Sequence, residues 1–332
     1  MHPALRAILL TCLLPPVAPA VYAGGSNYGT PAGAAADFQG TVAEWPVPTP
    51  EFARDPAIAP DGSIFIAVMH GNKIARFDPA AETFVEWNLP PGARPHGLLV
   101  DRRGIVWYTG NGNGTIGRLD PSSGKITENK APSGGDPHTL VIDHGGIIWF
   151  TVQGGDRVGR LDTASGKITE YPTPGGPYGL TLDRAGNVWV CLMRGNQLGR
   201  IDAVTGEVSL LDMPPGARPR RMATAPDGSL WITFYGTNKL VKFDPEARRI
   251  AREIELPAGR GGGAYAVTVD GAGIVWVNEI QTDTVVRFDP GTGEPGVVKL
   301  PSRNVGIRKM VVDSRGRLWY MGSHNGRLGM VQ

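Results

Sequence analysis

One motif recurs seven times along this chain, and its spacing constrains the fold more than any other feature. Each copy has an apolar segment, a turn that contains Asp and ends with Gly, and a second apolar segment around a large aromatic residue. The turns suit tight hairpins, because Gly adopts positive φ without steric cost. Successive aromatic residues lie 40 to 45 positions apart. They are Phe65, Trp107, Trp149, Trp189, Trp231, Trp276 and Trp319.

Each repeat also contains two further segments with strand character. Eleven residues after the aromatic position, six of the seven copies have Arg or Lys, and a second turn such as DPSSG leads to a fourth segment such as KITEYPTP at 167–174. Four short antiparallel strands in a repeat of this length are typical of a propeller blade. We therefore predict an all-β fold, a seven-bladed β-propeller over residues 41–332, with the seven aromatic residues buried between blades.

The two ends of the repeat region complement each other. The seventh repeat stops after its third strand, at Gln332. The segment TVAEWPVP at 41–48 resembles TFVEWNLP at 83–90, which is the fourth strand of the first repeat. We predict that the N-terminal strand 41–48 completes the last blade and closes the ring, which leaves no open sheet edge.

The first 23 residues have the pattern of a secretory signal peptide. His2 and Arg6 flank the start of an apolar run at 7–14, and Val21 and Ala23 occupy the −3 and −1 positions of a cleavage site. Residues 24–40 are expected to form a flexible leader. These features predict a periplasmic or secreted protein. The mature chain would keep one cysteine, Cys191, so no internal disulfide is expected.

Charge and motifs exclude several classes of function. The net charge is +2 and only 19% of residues are charged, which gives no reason to expect a nucleic acid or a membrane surface as partner. The sequence has no P-loop, dinucleotide fingerprint, nucleophile elbow or zinc-ligand spacing. We expect a monomer without a membrane span.

Two positions in each repeat are predicted to meet at one opening of the central channel. The first lies eleven residues before the aromatic position and is polar or aromatic in every copy, which indicates a binding surface for a small molecule or a cyclic peptide in the central funnel. The alternative is that these side chains only solvate a channel. The members are Arg54, His96, His138, Tyr178, Arg220, Tyr265 and Arg308. The second position lies three residues after the aromatic one, where Glu279 is the only carboxylate.

The chain resembles the virginiamycin B lyase family over about residues 41–332. The resemblance rests on repeat phrases such as DGSLWIT, IWFT, VGRLD and KITEYPTP, and on ARPHG, GDPHT and GPYG at the starts of three consecutive repeats. It implies a magnesium-dependent elimination that linearises a cyclic depsipeptide, a streptogramin B, at its ester bond. It further implies His138 as the catalytic base, His96 and Tyr178 as substrate-binding residues, and Asp136 as a metal ligand.

Two departures from the family pattern are visible. A glutamate on the partner strand helps to hold the metal in the family, and Val152 stands at that position here, where hairpin pairing is expected to place it opposite His138. The His–His–Tyr order falls in blades two to four, whereas the family has it in the last two blades and the first. Those places hold Tyr265, Arg308 and Arg54 in this chain.

Two other functions compete with the lyase. A non-catalytic periplasmic propeller could bind an anionic or peptide ligand through Arg54, Arg220 and Arg308. A calcium-dependent sugar-lactone hydrolase is disfavoured, because that class has six blades and an acidic metal cluster. Fold alone does not decide between these functions.

Overall fold

Seven four-stranded antiparallel sheets make up the fold in this computed structural model, which describes residues 41–293 and 295–332. The innermost strands are β2 (Ala53–Ile58), β6 (Pro95–Val100), β10 (Pro137–Ile142), β14 (Pro177–Leu182), β18 (Pro219–Thr224), β22 (Ala264–Val269) and β26 (Ile307–Val312). The second strands are β3 (Ile64–Val68), β7 (Val106–Gly110), β11 (Ile147–Val152), β15 (Val188–Leu192), β19 (Leu230–Phe234), β23 (Val275–Glu279) and β27 (Leu318–Gly322).

The outer half of each sheet repeats the same order. The third strands are β4 (Lys73–Asp78), β8 (Thr115–Asp120), β12 (Arg157–Asp162), β16 (Gln197–Ile201), β20 (Lys239–Asp244), β24 (Thr284–Phe288) and β28 (Arg327–Val331). The outermost strands are β5 (Thr83–Asn88), β9 (Lys125–Lys130), β13 (Ile168–Pro172), β17 (Val208–Asp212), β21 (Arg249–Glu255), β25 (Pro295–Lys299) and, for the seventh sheet, β1 (Val42–Pro46). A single 3₁₀ turn, Gly259–Gly261, is the one helical element among the described residues.

The innermost strands form the wall of a central channel. Each contacts the innermost strand of the next blade, and β26 of the last blade contacts β2 of the first, so the ring is complete. The predicted seven-bladed β-propeller is confirmed. Residues 1–40, on which the predicted signal peptide and leader fall, lie outside the described residues. Within the described part of the chain, no helix has the length and hydropathy needed to cross a membrane.

The seven repeated aromatic residues are buried between blades, as predicted, each at most 3% exposed. Each pairs in register with the residue eleven positions later, as Trp149 does with Arg160, whose guanidinium lies 5.9 Å from the indole centroid. The aspartate of the preceding turn holds the indole in several blades: Asp183 Oδ2 accepts a hydrogen bond from Trp189 Nε1 at 3.0 Å. The same carboxylate accepts the backbone N–H of Asn187, which explains why five of the seven turns begin with Asp.

The N-terminal strand closes the ring, as predicted. Strand β1 pairs antiparallel with β28 as the outermost strand of the seventh sheet. The half-buried ring of Trp45 stacks on Trp319 at 5.8 Å and contacts Phe77 of the first blade at 4.9 Å. Tyr320 donates a hydrogen bond to Glu44 at 2.6 Å. This strand therefore joins the last blade to the first through side chains as well as backbone.

Replacing Trp45 by alanine should open this closure. Truncation of a fully buried Trp to Ala lowers the free energy of unfolding by about 3–5 kcal/mol. Trp45 is only half-buried, so Trp45→Ala should lower it by about 2 kcal/mol. Hydrogen exchange of the β28 amides should also become faster, because β1 covers that edge. Trp87→Ala is the matched control, since Trp87 occupies the same position in the first blade. If Trp45→Ala leaves β28 as protected as Trp87→Ala does, β1 does not depend on this stack.

Candidate functional site

Every innermost strand contains a β-bulge at the channel. In the third blade Pro137 pairs with Val152 and Leu140 with Phe150, so His138 and Thr139 both lie opposite Thr151. The same shift occurs in all seven blades. A bulge bends the strand and redirects the side chain of its extra residue. Two consecutive residues of each innermost strand therefore reach the channel, and they form two layers across it.

The upper layer consists of the seven residues predicted from the repeat. Ring centroids lie 3.7 Å apart for His96 and His138 and 4.2 Å apart for His138 and Tyr178. Arg220 spans from Tyr178 to Tyr265 and donates a hydrogen bond to each hydroxyl, at 3.2 and 2.9 Å. The structure thus brings the imidazoles, phenols and guanidinium of five consecutive blades into one connected layer. Arg54 and Arg308 continue it towards the first blade.

Both histidines of the upper layer are uncharged at neutral pH. Burial lowers the pKa of His138 well below its ordinary value, and the positive charges of Arg221 and Arg54 lower it further. Burial also lowers the pKa of His96, with Arg54 as the next cause. The Nδ1 atom of His138 lies 3.0 Å from the hydroxyl oxygen of Thr139. A neutral imidazole is the form that can accept a proton.

Three hydrogen-bonding groups converge on the hydroxyl oxygen of Tyr265. Arg220 Nη2 and Arg308 Nη1 donate to it at 2.9 and 3.2 Å, and the hydroxyl of Tyr178 contacts it. Burial would raise the pKa of Tyr265, but Arg220 and then Arg54 lower it to about 7. The pKa of Tyr178 is raised, first by burial and then by the neighbouring Tyr265. The two pKa shifts are opposite in direction and belong to the pair, because the two hydroxyls are in contact.

Arg54 is buried with unused donors. It is 6% exposed, and its Nε and Nη2 atoms donate no hydrogen bond among the described residues. Within residues 41–293 and 295–332, Arg54, Arg220 and Arg308 form no ion pair with a carboxylate. Buried charges normally have a partner, so these guanidiniums form a ready site for an anionic group.

The lower layer is also charged. Asp55 is fully buried, and the nearest atom of its ion-pair partner Arg221 lies 3.8 Å away, too far for a hydrogen bond. Arg221 also donates to Thr139 across the channel at 3.0 Å. Lys309 donates to the carbonyl oxygen of Leu98 at 2.8 Å. Burial lowers the pKa of Lys309 to about 7, against the opposing attraction of Asp55. This layer places a polar floor under the upper one.

Threonines on the second strands link neighbouring bulges. Thr109 Oγ1 accepts the N–H of Gly97 at 2.7 Å and donates to the carbonyl oxygen of His138 at 2.9 Å. Thr151 connects Thr139 to Tyr178 in the same way. The repeat contains a signal for them, because they follow the aromatic position by two residues, but the sequence analysis did not use it. These links hold the backbone carbonyls of His138 and Tyr178 to the blade before each of them.

Three aromatic residues outside the predicted set complete the rim. Phe52 lies against Arg54 and Arg308, whose guanidinium carbons are 5.4 and 5.2 Å from its ring centroid. His324 Nε2 is 3.1 Å from Arg308 Nη2, and Tyr235 lies 4.6 Å under the guanidinium of Arg220. Phe52 has φ of +50°, which is unusual for a non-glycine residue. The equivalent positions of five other blades also have positive φ and are Gly176, Gly263, Gly306, Arg94 and Arg218, so this conformation is a property of the repeat.

The residues near Asp136 do not fit a divalent metal. Asp136 Oδ1 accepts the backbone N–H of Gly154 at 2.6 Å. Val152 was expected opposite His138, but it pairs with Pro137 instead. Glu279 is turned to Asn238 and the backbone of Ala258. In the described part of the chain, no three His, Cys, Asp or Glu side chains cluster as metal ligands would. Mg²⁺ prefers carboxylate oxygens, and here the upper layer offers guanidiniums instead.

The comparisons with known proteins agree with the fold and with this arrangement of repeats. The sequence matches the virginiamycin B lyase family over residues 33–176 and 162–332. The chain belongs to the virginiamycin B lyase family. No curated protein matches the sequence.

Solved structures of the virginiamycin B lyase family share the propeller. A streptogramin B lyase has 26% identity and a TM-score of 0.80, with 88% of this chain and 97% of that one covered. The virginiamycin B lyase of Staphylococcus aureus has 23% identity and a TM-score of 0.80, over 88% of this chain and 99% of that one. A catalytically inactive variant of the latter was solved with quinupristin, at 23% identity, a TM-score of 0.79 and the same coverage.

Proposed function

We propose that this protein is a carbon–oxygen lyase that opens a cyclic depsipeptide at its ester bond by elimination. The observation that carries the proposal is the upper layer of the channel, where the uncharged imidazole of His138 lies in one cluster with three guanidiniums that have no carboxylate partner among the described residues. An ester elimination needs a base and a group that stabilises the carboxylate that leaves. Both are present within this layer.

The chain's own residues have separate roles in this reaction. His138 accepts the proton next to the substrate carbonyl, and His96 and Tyr178 pack on either side of it and orient the ring. Arg54, Arg220 and Arg308 bind the carbonyl and then the carboxylate that is released. The family's magnesium would polarise a carbonyl, but the donor set here does not fit it, so no step is assigned to a metal. From the sequence pattern of residues 1–23 we expect this activity outside the cytoplasm.

The direct test is incubation of the protein with a streptogramin B, with magnesium and separately with a chelator. Elimination gives a linear product of unchanged mass, whereas hydrolysis adds one water. We expect the linear product of unchanged mass in both conditions. Complete absence of a linear product would refute the lyase, and a product that requires magnesium would refute the metal-free arrangement.

A second candidate function is binding of an anionic ligand without chemistry. The specific observation in its favour is the pair of unpaired donor atoms on buried Arg54. Binding through guanidiniums should weaken as salt increases, because the attraction is electrostatic. A protein that binds carboxylate-bearing peptides in a salt-dependent manner, and leaves streptogramin B intact, would favour this function over the lyase.

A further inference from the structure

The hydroxyl oxygen of Tyr265 has an unusual set of hydrogen-bond partners for a buried phenol. Three guanidiniums meet there without a carboxylate partner among the described residues, and two of them donate to the oxygen of Tyr265. Tyr178 contacts the same oxygen through its hydroxyl. An oxygen that receives hydrogen bonds from two cations and a phenol is arranged as an anion would be, because each of these contacts favours the charged form.

We infer that Tyr265 carries, as a phenolate, the negative charge that a ligand carboxylate replaces, and that it takes up a proton when the carboxylate arrives. This inference rests on the proposed elimination and assigns Tyr265 as a second catalytic residue. It also names the chemical class of the group that the cluster binds: a carboxylate on the ligand or on the product.

The surroundings of Tyr265 support a phenolate from every side. The side chain is 1% exposed, so water cannot stabilise its charge and the neighbours must do so. The pKa of Tyr265, lowered to about 7 by arginine charges that overcome burial, agrees with the hydrogen-bond geometry. The charged and titratable groups that face it are Tyr178, Tyr235, Arg54, Arg220, Arg221 and Arg308.

A carboxylate can reach the same cations. Arg220 and Arg308 are only half-buried, whereas Tyr265 lies beneath them. A guanidinium has five N–H donors, and each of these two spends few of them on the phenols. A ligand oxygen that binds to either guanidinium is therefore separated from the phenolate oxygen by that guanidinium alone. The unpaired N–H groups of Arg54 are further donors in the upper layer.

The elimination balances with this assignment. The Cα–H bond breaks and its proton passes to His138, while the electron pair forms the carbon–carbon double bond. The Cβ–O bond breaks, and its electron pair leaves on the ester oxygen as a carboxylate. The proton then moves from His138 by way of the Tyr178 hydroxyl to Tyr265, which becomes a neutral phenol. No water, oxidant or reductant is consumed.

Charge conservation makes this route favourable in a buried site. Before the reaction the negative charge lies on Tyr265, and afterwards it lies on the product carboxylate, beside the same guanidiniums. The net charge of the layer does not change. Leaving the proton on His138 would instead keep an imidazolium among four guanidiniums, which burial and repulsion both oppose.

Ultraviolet titration of the phenolate tests the inference without any turnover. The parent should show one phenolate that forms near pH 7, and Tyr265→Phe should show none until about pH 9–10, where ordinary tyrosines ionise. Tyr108→Phe is the matched control, because Tyr108 is equally buried but donates to Glu128, and this variant should keep the transition of the parent. A near-neutral transition that persists in Tyr265→Phe would overturn the inference.

Sodium acetate at constant ionic strength is the carboxylate probe. In weakly buffered solution near pH 7.5, acetate should decrease the phenolate absorbance of the parent and cause proton uptake, and it should do neither in Tyr265→Phe. An absorbance that is unchanged in concentrated acetate would contradict the exchange of charge. These results do not depend on lyase activity, so they separate this inference from the proposed function.

Turnover then tests the catalytic role. If the parent linearises streptogramin B, Tyr265→Phe should lose about 10²-fold in kcat, since the proton has no final acceptor. Its KM should change much less than its kcat. A Tyr265→Phe protein that keeps the kcat of the parent would overturn the catalytic assignment, even if the phenolate exists.

Discussion

Asp55→Asn should lower the free energy of unfolding by about 3–5 kcal/mol, because it leaves buried cations without their counter-charge. Asp55 is fully buried in the lower layer of the channel, 3.8 Å from Arg221. The substitution keeps the size of the side chain and removes only the charge. Lys309 can respond by losing its proton, since its pKa is already lowered to about 7. Arg221 cannot respond in this way, because a guanidinium stays charged.

Chemical denaturation of Asp55→Asn and Glu255→Gln measures the difference. Glu255 is the matched control: it also pairs with a cation, Lys239, at 3.0 Å, but its side chain is 73% exposed. Exposed pairs contribute about 0–1 kcal/mol, so Glu255→Gln should unfold close to the parent. Equal stabilities of the two variants would show that the lower layer does not depend on the charge of Asp55.

The sequence allowed the blades to be counted, because the repeat is a property of the chain itself. Anchors such as Trp149 are large, recur at a fixed spacing and have one structural role, so their burial follows from the pattern. The strand at 41–48 could be placed for a similar reason: it has the sequence of a fourth strand and no blade of its own. Both features depend on local composition and on the closure of a ring.

The layers of the channel were harder to predict. A strand with a regular two-residue alternation directs one of two consecutive residues inward. The bulge in each innermost strand breaks this alternation, so Asp55, Arg221 and Lys309 form a second layer that the repeat did not indicate. The bulge also shifts the partner of Val152 to Pro137. Proline begins the bulged segment in four of the seven blades, at Pro95, Pro137, Pro177 and Pro219, but the other three begin with Ala or Ile, so residue type marks the bulge only in part.

The electrostatic character of the site also emerges only in three dimensions. The residues at the repeated position could be read from the sequence, but Arg220 and Tyr265 are 45 positions apart and their hydrogen bond depends on the curvature of the ring. Phe52 is informative in another way. Its positive φ recurs at the same repeat position in Arg94 and Arg218, so this backbone conformation belongs to the repeat and does not by itself mark a functional residue.

Substitution of His138 by alanine should reduce kcat for streptogramin B by about 10²–10⁴-fold, the usual contribution of a general base. The imidazole lies between His96 and Tyr178 and is uncharged at neutral pH, so it is available to accept a proton. His138→Gln keeps a polar side chain of similar length without a basic nitrogen, and it should lose activity to the same extent. Steady-state kinetics with product detection by mass spectrometry gives both values.

His144→Ala provides the control for this experiment, because His144 lies exposed in the turn between β10 and β11, at the end of these strands opposite His138. It should keep the kcat of the parent. The phenolate transition of Tyr265 should remain in His138→Ala, since the arginines that stabilise it are intact. Loss of turnover with a retained phenolate would show that His138 removes the proton and that Tyr265 is a separate group, which finally holds it. A His138→Ala protein that turns over as fast as the parent would show that another residue removes the proton, and Tyr265 would then be the base itself.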